Sequence, residues 1–259
     1  MTLLAVVTGA STGIGAATAR ALRAEGWNVI AVARRAERLE SLAEGSGVIP
    51  FAADLTNEDA VANLATFIDE RGGVDALVHV AGGARGGESV EAGSIADWQW
   101  MFEANVLATK RLTSALLPLM RRAARERGVS SLVTVTSTAA FAAYPGGGGY
   151  NAAKFAEHAM VAALRLELAG EPIRVIEVAP GMVKTEEFAL NRLGGDAAAA
   201  AAVYEGVEEP LTAADVAEVI ADALRKPKHV NLDLIVLRPV AQAAQHLLIR
   251  QPLAVKDDA

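Results

Sequence analysis

Residues 3–24 read LLAVVTGASTGIGAATARALRA, and this stretch decides the fold. Leu3–Val7 is a short, continuously apolar run, which is typical of a strand that is buried on both faces. Ile14–Ala24 has the apolar periodicity of a helix. The turn that joins them, Thr8–Gly15, contains three glycines. A strand that passes through such a turn directly into a helix indicates the first unit of an α/β fold.

Each glycine of this turn has its own use. Gly9 permits the tight turn, Gly13 lets a pyrophosphate approach the backbone, and Gly15 lets helix and strand pack closely. The free N–H groups at the helix start attract phosphates. The spacing differs from the G-x-G-x-x-G fingerprint, and such glycines can be purely conformational. Their position on the first strand–helix turn favours a nucleotide site formed by Gly9, Ser11, Thr12, Gly13 and Ile14.

The alternation of strands and helices continues along the chain. Further strands are predicted at Asn28–Ala33, Val48–Ala53, Ala76–Val80, Leu132–Val135, Ile173–Val178 and Leu234–Leu237. Helices are predicted at Glu37–Glu44, from the region of Asn57 to Arg71, and at Ile95–Glu126, Tyr150–Leu168 and Ala213–Leu224. Apolar strands with helical crossovers form a parallel sheet that is covered on both faces. The sequence therefore predicts a single-domain, doubly wound α/β fold of Rossmann type with about seven strands, which binds ligands beyond the carboxyl ends of its strands.

Composition excludes several classes of protein. Hydrophobic residues make up 52% of the 259, and the net charge is −7, so a large core can form and nucleic acid is not an expected partner. Cysteine is absent and the four histidines lie apart, so we expect no disulfide and no metal site. No apolar stretch approaches the ~20 residues of a membrane span, and the N-terminus lacks the pattern of a targeting peptide. We expect a soluble, cytoplasmic protein.

Residues 137–154 read STAAFAAYPGGGGYNAAK and indicate proton-transfer chemistry. Tyr150 and Lys154 are one helical turn apart, so the phenol and the ammonium share a face of the helix. An ammonium ~4–5 Å away at an effective dielectric constant of ~20 would lower the pKa of the phenol by about 2–3 units at most. Ser137, at the end of a strand, would complete the site. The alternative is a pair on a helix surface, but neither of the other two tyrosines has a lysine four residues on.

The second strand ends in Ala33-Arg34-Arg35. A site selective for NAD usually has an acidic residue here, whereas an arginine can hold the 2′-phosphate of NADP. The sequence therefore favours NADP (NADPH) over NAD, with Arg34 at the phosphate. For Arg35 a solvated position is about equally expected. Asp54, which precedes Leu55, either accepts a hydrogen bond from the adenine or caps the next helix.

Taken together, these motifs resemble the short-chain dehydrogenase/reductase family over about residues 3–242. The resemblance is carried by Thr8-Gly9-x3-Gly13-Ile14-Gly15, Asp54, Ala81-Gly82, Asn105, Ser137, Tyr150-x3-Lys154 and Pro180-Gly181. Each motif is weak alone, but the combination in this order is specific. The resemblance implies an NAD(P)-dependent oxidoreductase that acts on a small alcohol or carbonyl compound.

The resemblance also implies roles for individual residues. Tyr150 would be the acid/base, Lys154 would lower its pKa and hold the nicotinamide ribose, Ser137 would orient the substrate oxygen, and Asn105 would keep a water for a proton relay. The cofactor-binding residues implied beyond the glycine turn are Arg34, Arg35, Asp54, Leu55, Ala81, Gly82, Tyr150, Lys154, Pro180, Gly181, Val183 and Thr185. The family usually reads Asn-Asn-Ala-Gly after the fourth strand, whereas this chain has His79 at the first of these positions. We interpret His79 as a structural residue.

Residues His229–Gln242, together with Tyr144-Pro145-Gly146-Gly147, resemble a branch of the family, although less specifically. This branch contains NADP-dependent 3-hydroxy acid and serine dehydrogenases and clavulanate-type aldehyde reductases. We expect residues 1–242 to form the Rossmann-type domain, with a substrate lid at about 182–207, and residues 243–259 to form a tail. The acidic residues of the lid, Glu186, Glu187 and Glu205, are expected in solvent. Arg85, Lys184 and Arg192 could bind a carboxylate of the substrate, although a surface position is the expected one for each. The resemblance implies a homo-oligomer, either a tetramer or a dimer.

Two other functions are compatible with the sequence. A nucleotide-sensing protein could keep the fold without turnover, although the complete set of Ser137, Tyr150 and Lys154 argues against it. A ketoreductase for carrier-bound acyl chains would need a basic docking patch beside the cavity, and the sequence offers none that is convincing.

Overall fold

A parallel seven-stranded sheet forms the centre of the structure, a computed structural model that describes residues 2–255. The strands are β1 (Leu4–Thr8), β2 (Asn28–Ala33), β3 (Ile49–Ala52), β4 (Ala76–His79), β5 (Ser130–Val135), β6 (Ile173–Pro180), β7 (Val183–Lys184), β8 (Leu211–Thr212), β9 (Leu234–Leu237), β10 (Gln242–Ala244) and β11 (Leu247–Leu248). The large sheet has the order β3-β2-β1-β4-β5-β6-β9, with every pairing parallel. The predicted fold class is confirmed.

Helices cover both faces of this sheet. They are α1 (Gly13–Ala24), α2 (Ala36–Ala43), α3 (Glu58–Asp69), α4 (Ile95–Phe102), α5 (Ala108–Arg127), α6 (Gly148–Glu167), α7 (Phe188–Arg192), α8 (Ala197–Ala202) and α9 (Ala213–Arg225). Because strand side chains alternate, Val7 packs in the core that includes α1 and α9, whereas Val6 packs in the core that includes α3, α5 and α6.

The helix predicted over Ile95–Glu126 is present, but it is not a regular α-helix throughout. A π-helical turn, Glu103–Leu107, separates α4 from α5, and Pro118 lies inside α5. The cause lies at Asn105, whose side-chain amide donates to the Met101 carbonyl at 2.7 Å. In a regular α-helix the backbone N–H of Asn105 would donate to the Met101 carbonyl. The Asn105 side chain therefore competes with this backbone hydrogen bond. π-Helical turns often occur at functional sites.

Two small two-stranded sheets are separate from the large one. β7 pairs with β8, and β10 with β11 in an antiparallel hairpin. The predicted tail therefore contains an ordered hairpin, and its residues 256–259 lie outside the described part of the chain. Within residues 2–255, no helix has the length and apolar character to cross a membrane. The same residues contain no group of three metal-ligating side chains.

Candidate active site

A cavity of about 1090 Å³ opens at the carboxyl ends of the strands. Most of the predicted site residues line it: Gly9, Ser11, Thr12, Gly13, Ile14, Arg34, Arg35, Asp54, Leu55, Ala81, Gly82, Ser137, Tyr150, Pro180, Gly181, Val183 and Thr185. Two predicted residues, Asn105 and Lys154, are buried behind the wall instead. The structure thus brings the nucleotide motifs and the tyrosine to one cavity, as expected for a sheet of this kind.

The glycine turn has the backbone that a phosphate cradle needs. Gly9 and Gly13 have φ angles of +64° and +54°. A Cβ on Gly15 would lie 2.4 Å from the Gly9 carbonyl oxygen, so only glycine allows this packing. No side chain caps the N-terminus of α1, although Thr12 is at the capping position. The N–H groups at the start of α1 are therefore free of a side-chain acceptor, and an anion fits there.

The two arginines after β2 differ in their surroundings. Arg35 forms a bidentate ion pair with Glu187, with N–O distances of 2.7 and 2.8 Å, and also donates to Ser11 at 2.9 Å. The prediction that Glu187 is solvated is wrong, since its side chain is only 18% exposed. Arg34 lines the cavity, and no carboxylate of the described residues lies within 4 Å of it. Arg34 is the guanidinium that remains available for a phosphate.

Asp54 does not cap the next helix. Its carboxylate accepts bonds from the backbone N–H and the hydroxyl of Thr56, and Asn57 caps α3 by accepting from Ala60. Burial raises the pKa of Asp54, but the bonds from Thr56 and the charge of Arg34 outweigh it, so the net pKa is lowered. Asp54 is therefore a carboxylate on the cavity wall beside Arg34.

His79 makes its hydrogen bond to a helix. Its Nε2 lies 2.9 Å from the Thr113 hydroxyl on α5, and burial lowers the pKa of His79 to about 3. Beside it, the hydroxyl of Thr8 on β1 accepts hydrogen bonds from the backbone N–H groups of Val80 and Ala81, which follow β4 directly. His79 is thus a neutral residue of the core, which agrees with the structural interpretation.

The Tyr150 phenol is 8% exposed on the cavity wall, close to Ser137 and edge-on to Phe188. The Lys154 ammonium lies 5.9 Å from the centre of the phenol ring. A Cβ on Gly82 would stand 3.8 Å from that nitrogen, so the ammonium lies just behind the glycine backbone of the wall. The three predicted groups are therefore together, with the lysine in the layer behind.

The net effect on the Tyr150 phenol differs from the prediction. Burial raises the pKa of Tyr150, and the Lys154 charge and the Ser137 hydroxyl lower it only in part, so the net pKa is raised. Two causes explain the difference. The phenol is almost fully buried, and the Lys154 ammonium already has a counter-charge in Glu157, 2.6 Å away.

The side chain of Asn105 bonds to the backbone of the cavity wall and of its own helix. Its side-chain oxygen accepts from Gly83 N–H at 3.1 Å, and its amide donates to the carbonyls of Gly83 and Met101. A Cβ on Gly82 would come 2.5 Å from the side-chain oxygen. Asn105 therefore fixes the backbone of Gly82 and Gly83, which forms the wall in front of Lys154.

Some groups around the cavity differ from the expectation or were missed. Arg192, for which a surface position was expected and a substrate carboxylate was the alternative, is half-buried and donates to the Tyr144 hydroxyl and the carbonyls of Gly86 and Gly146. Residues of the expected tail also line the cavity: Gln245, His246, Leu248 and Arg250. After His246 the chain reads Leu-Leu-Ile, an apolar run that indicates packing, but the sequence does not indicate what it packs against. The segment 182–207 contributes many lining residues, which is compatible with the predicted lid.

A parallel sheet with a glycine turn after β1, and a buried tyrosine and lysine beside the same cavity, define a nucleotide-dependent oxidoreductase. The chain belongs to the short-chain dehydrogenase family, whose model matches residues 3–193.

Individual relatives share nearly the whole length. An oxidoreductase of Mycobacterium tuberculosis is 51% identical over 93% of this chain and 92% of its own. A serine 3-dehydrogenase of Agrobacterium fabrum is 39% identical over 92% of this chain and 94% of its own. The closed form of a serine dehydrogenase complexed with NADP+ superimposes with a TM-score of 0.88 and 31% identity, and covers 99% of this chain and 100% of that one.

Proposed function

We propose that this protein is an NADP(H)-dependent oxidoreductase that interconverts small hydroxy acids and the corresponding aldehydes or ketones. One observation carries the proposal. The Tyr150 phenol and the Ser137 hydroxyl open into the same cavity as the Gly13 turn and the Arg34 guanidinium. A proton-transfer group and a phosphate-binding group therefore face one space that is large enough for a dinucleotide and a small substrate.

The lining residues fit NADP. The free N–H groups at the start of α1 would hold the pyrophosphate, Arg34 the 2′-phosphate, and Asp54 the adenine amino group. Val183 and Thr185, where the chain leaves β6, would hold the nicotinamide end. The bound cofactor supplies the hydride donor or acceptor. The NADP+ complex of the serine dehydrogenase with the same fold supports this assignment.

The protein's own groups move the proton. Ser137 would hold the substrate oxygen, and Tyr150 would donate a proton to that oxygen in reduction or take one in oxidation. Burial of the phenol against Phe188 excludes water from this transfer. Lys154, just behind the wall at Gly82, would stabilise the phenolate form, and Asn105 would keep that wall in place.

Arg192 supports a substrate with an acid group. Its guanidinium carbon lies 5.9 Å from the centre of the Tyr150 ring. Three of its five N–H groups bond to neutral oxygens, and no carboxylate among residues 2–255 lies within 4 Å of its guanidinium nitrogens. A positive charge beside the reacting phenol suits a carboxylate on the substrate. Serine, the substrate named for the relative from Agrobacterium fabrum, carries one.

A cofactor-coupled screen tests the proposal. Purified protein is supplied with NADP+ and a panel of L-serine, other 3-hydroxy acids and neutral alcohols, and the absorbance of the reduced nicotinamide is followed. We expect turnover of at least one hydroxy acid and a loss of about 100-fold or more in kcat for Tyr150→Phe. Undiminished turnover in Tyr150→Phe would contradict the mechanism. Tight NADPH binding with no turnover of any alcohol or carbonyl compound would favour the nucleotide sensor.

A further inference from the structure

The Ser137 hydroxyl lies on a short turn that follows β5. Ser137 itself is extended, and a single 3₁₀ turn, Thr138–Ala140, comes next. The hydroxyl accepts from the Ala139 N–H at 3.1 Å and donates to the Pro180 carbonyl at 3.4 Å. The second of these distances is long for a hydroxyl donor. The direction of the hydroxyl therefore depends on how firmly the backbone of this turn is held.

A glutamine from the C-terminal hairpin bonds to this turn. Gln245 lies between β10 and β11. The next residue after Ser137 is Thr138, which is 1% exposed, and its hydroxyl donates to Oε1 of Gln245 at 2.5 Å. A buried hydroxyl that loses its acceptor is costly, so this bond fixes the position of Thr138. Because Ser137 is joined directly to Thr138, the bond also limits the movement of Ser137.

The hairpin is itself anchored at both of its ends. Gln242 in β10 is buried, and its Oε1 accepts from the Met182 N–H at 2.8 Å. Beyond β11, Arg250 donates to two backbone carbonyls of the segment 182–207, at 2.7 and 3.1 Å. A hairpin that is fixed in this way can hold Thr138 in place rather than move with it.

The turn and the glutamine border the space in which the substrate is expected. Ser137, Thr138 and Gln245 line the same cavity as Tyr150. The Ser137 hydroxyl is the group proposed above to hold the substrate oxygen, and it lowers the pKa of Tyr150 in part. Misplacement of a reacting group by about 1 Å can lower a rate about 100-fold. A displaced turn would therefore impair the reaction.

We propose that Gln245 is a positioning residue, which holds the Ser137 hydroxyl at the substrate through its bond to Thr138. Gln245 acts through its neighbour and needs no contact with the reacting atoms. The C-terminal hairpin, which the sequence predicts as part of a tail, then belongs to the site. This inference rests on the proposed oxidoreductase function, because only that function gives Ser137 a substrate oxygen to hold.

The first test measures steady-state kinetics of variants at both ends of the bond, with NADP+ and a substrate found in the screen. We expect Gln245→Ala and Thr138→Val each to lower kcat roughly tenfold, with the Kd for NADPH within about twofold of the wild-type value. The double variant should lose no more than either single variant, because both remove the same bond. Thr138→Ser keeps the hydroxyl and should recover most of kcat. Gln251→Ala, a change at an exposed glutamine of the same tail, is the matched control.

Two kinetic results would overturn the role of Gln245. A kcat within about twofold of the wild-type value in Gln245→Ala would show that Ser137 does not depend on this glutamine. Losses of kcat that add up in the double variant would show that Gln245 and Thr138 act separately.

The second test needs neither cofactor nor substrate. The Ala139 N–H donates to the Ser137 hydroxyl oxygen, so hydrogen–deuterium exchange at this amide reports how firmly the turn is held. We expect exchange about tenfold faster in Gln245→Ala and in Thr138→Val than in the wild type and in Gln251→Ala. An exchange rate in Gln245→Ala equal to that of the wild type would overturn the positioning role.

The two tests separate this inference from the proposed function. A wild type that turns over no alcohol or carbonyl compound would refute the proposed function, whereas the exchange rates would still decide whether Gln245 holds the turn. Because Gln245 is only half-buried, Gln245→Ala tests the inference even if Thr138→Val does not fold.

Discussion

Lys154 and Glu157 form an ion pair inside the protein, with Nζ 2.6 Å from Oε2 and side chains that are 6% and 1% exposed. In the folded chain the lysine of the site therefore interacts with a carboxylate as well as with the tyrosine. Removal of one partner leaves the other charge buried and unpaired, which usually costs about 3–5 kcal/mol.

A double-mutant cycle on this pair measures that coupling. We expect Lys154→Met to lower the free energy of unfolding by about 3–5 kcal/mol, and Lys154→Met/Glu157→Leu to recover a large part of the loss. Urea unfolding of the four proteins gives the values. The exposed pair Arg122–Asp69 is the control, with an expected coupling below about 1 kcal/mol. A coupling energy no larger than that of the control pair would contradict the interaction of Lys154 and Glu157 as a buried ion pair.

Arg34 and Arg35 are expected to differ in their effect on cofactor binding. Because Arg35 is engaged by Glu187, Arg34→Ala should weaken NADPH binding by roughly 10–100-fold and leave NADH binding nearly unchanged, with a smaller effect for Arg35→Ala. Fluorescence titration with both nucleotides measures this. Equal affinities for NADPH and NADH, or no loss in Arg34→Ala, would refute the assignment of the 2′-phosphate.

Arg192 provides a prediction about the substrate. We expect Arg192→Gln to raise the KM for a hydroxy acid by roughly 10-fold or more, since a charge-assisted hydrogen bond is lost, and to leave kcat/KM for a neutral alcohol within about twofold. Steady-state kinetics on both substrates make the comparison. An equal fall in kcat/KM for the hydroxy acid and the neutral alcohol would mean that Arg192 only supports the loop, through its bonds to Gly86 and Gly146.

His79 makes the stability of the fold sensitive to acid. Its pKa is about 3 in the folded protein and 6.5 ordinarily, so between these values only the unfolded chain binds the proton. The contribution of His79 to the free energy of unfolding is complete above pH ~6.5. It falls as the pH is lowered, by about 2 kcal/mol at pH ~5. Urea unfolding near pH 7 and pH 5 should show this loss for the wild type and its absence for His79→Asn. An identical pH dependence in both proteins would exclude a neutral, buried His79.

The assembly remains a prediction from the family resemblance, a tetramer or a dimer. Large apolar side chains are exposed on α4 and α6, among them Phe102, Phe155 and Leu166 at 42%, 43% and 79%. We expect gel filtration with light scattering to show an oligomer at micromolar concentration and Phe155→Glu to shift it towards the monomer. A wild type that elutes as a monomer would rule the assembly out.

Local patterns along the sequence determined the architecture. The apolar run before Thr8, the three glycines to Gly15 and the repeated strand–helix alternation predict the parallel sheet, because these signals depend on neighbours in the chain. The i, i+4 spacing of Tyr150 and Lys154 likewise predicts their shared helix face. The order of the motifs then predicts a cavity at the carboxyl ends of the strands.

Only the tertiary structure decided the charges around those residues. Glu187 and the C-terminal hairpin are far along the chain from the residues that they contact, so no spacing along the chain indicates their proximity. Glu157 lies one turn from Lys154 on α6, so the sequence places the two on one face, but the burial that outweighs the Lys154 charge and raises the net pKa of Tyr150 comes from packing. Electrostatics depend on distance and desolvation in three dimensions, and both arise only when separate segments pack together. The sequence by itself therefore predicted which groups form the proposed site, and the folded chain decided the charges and the burial around them.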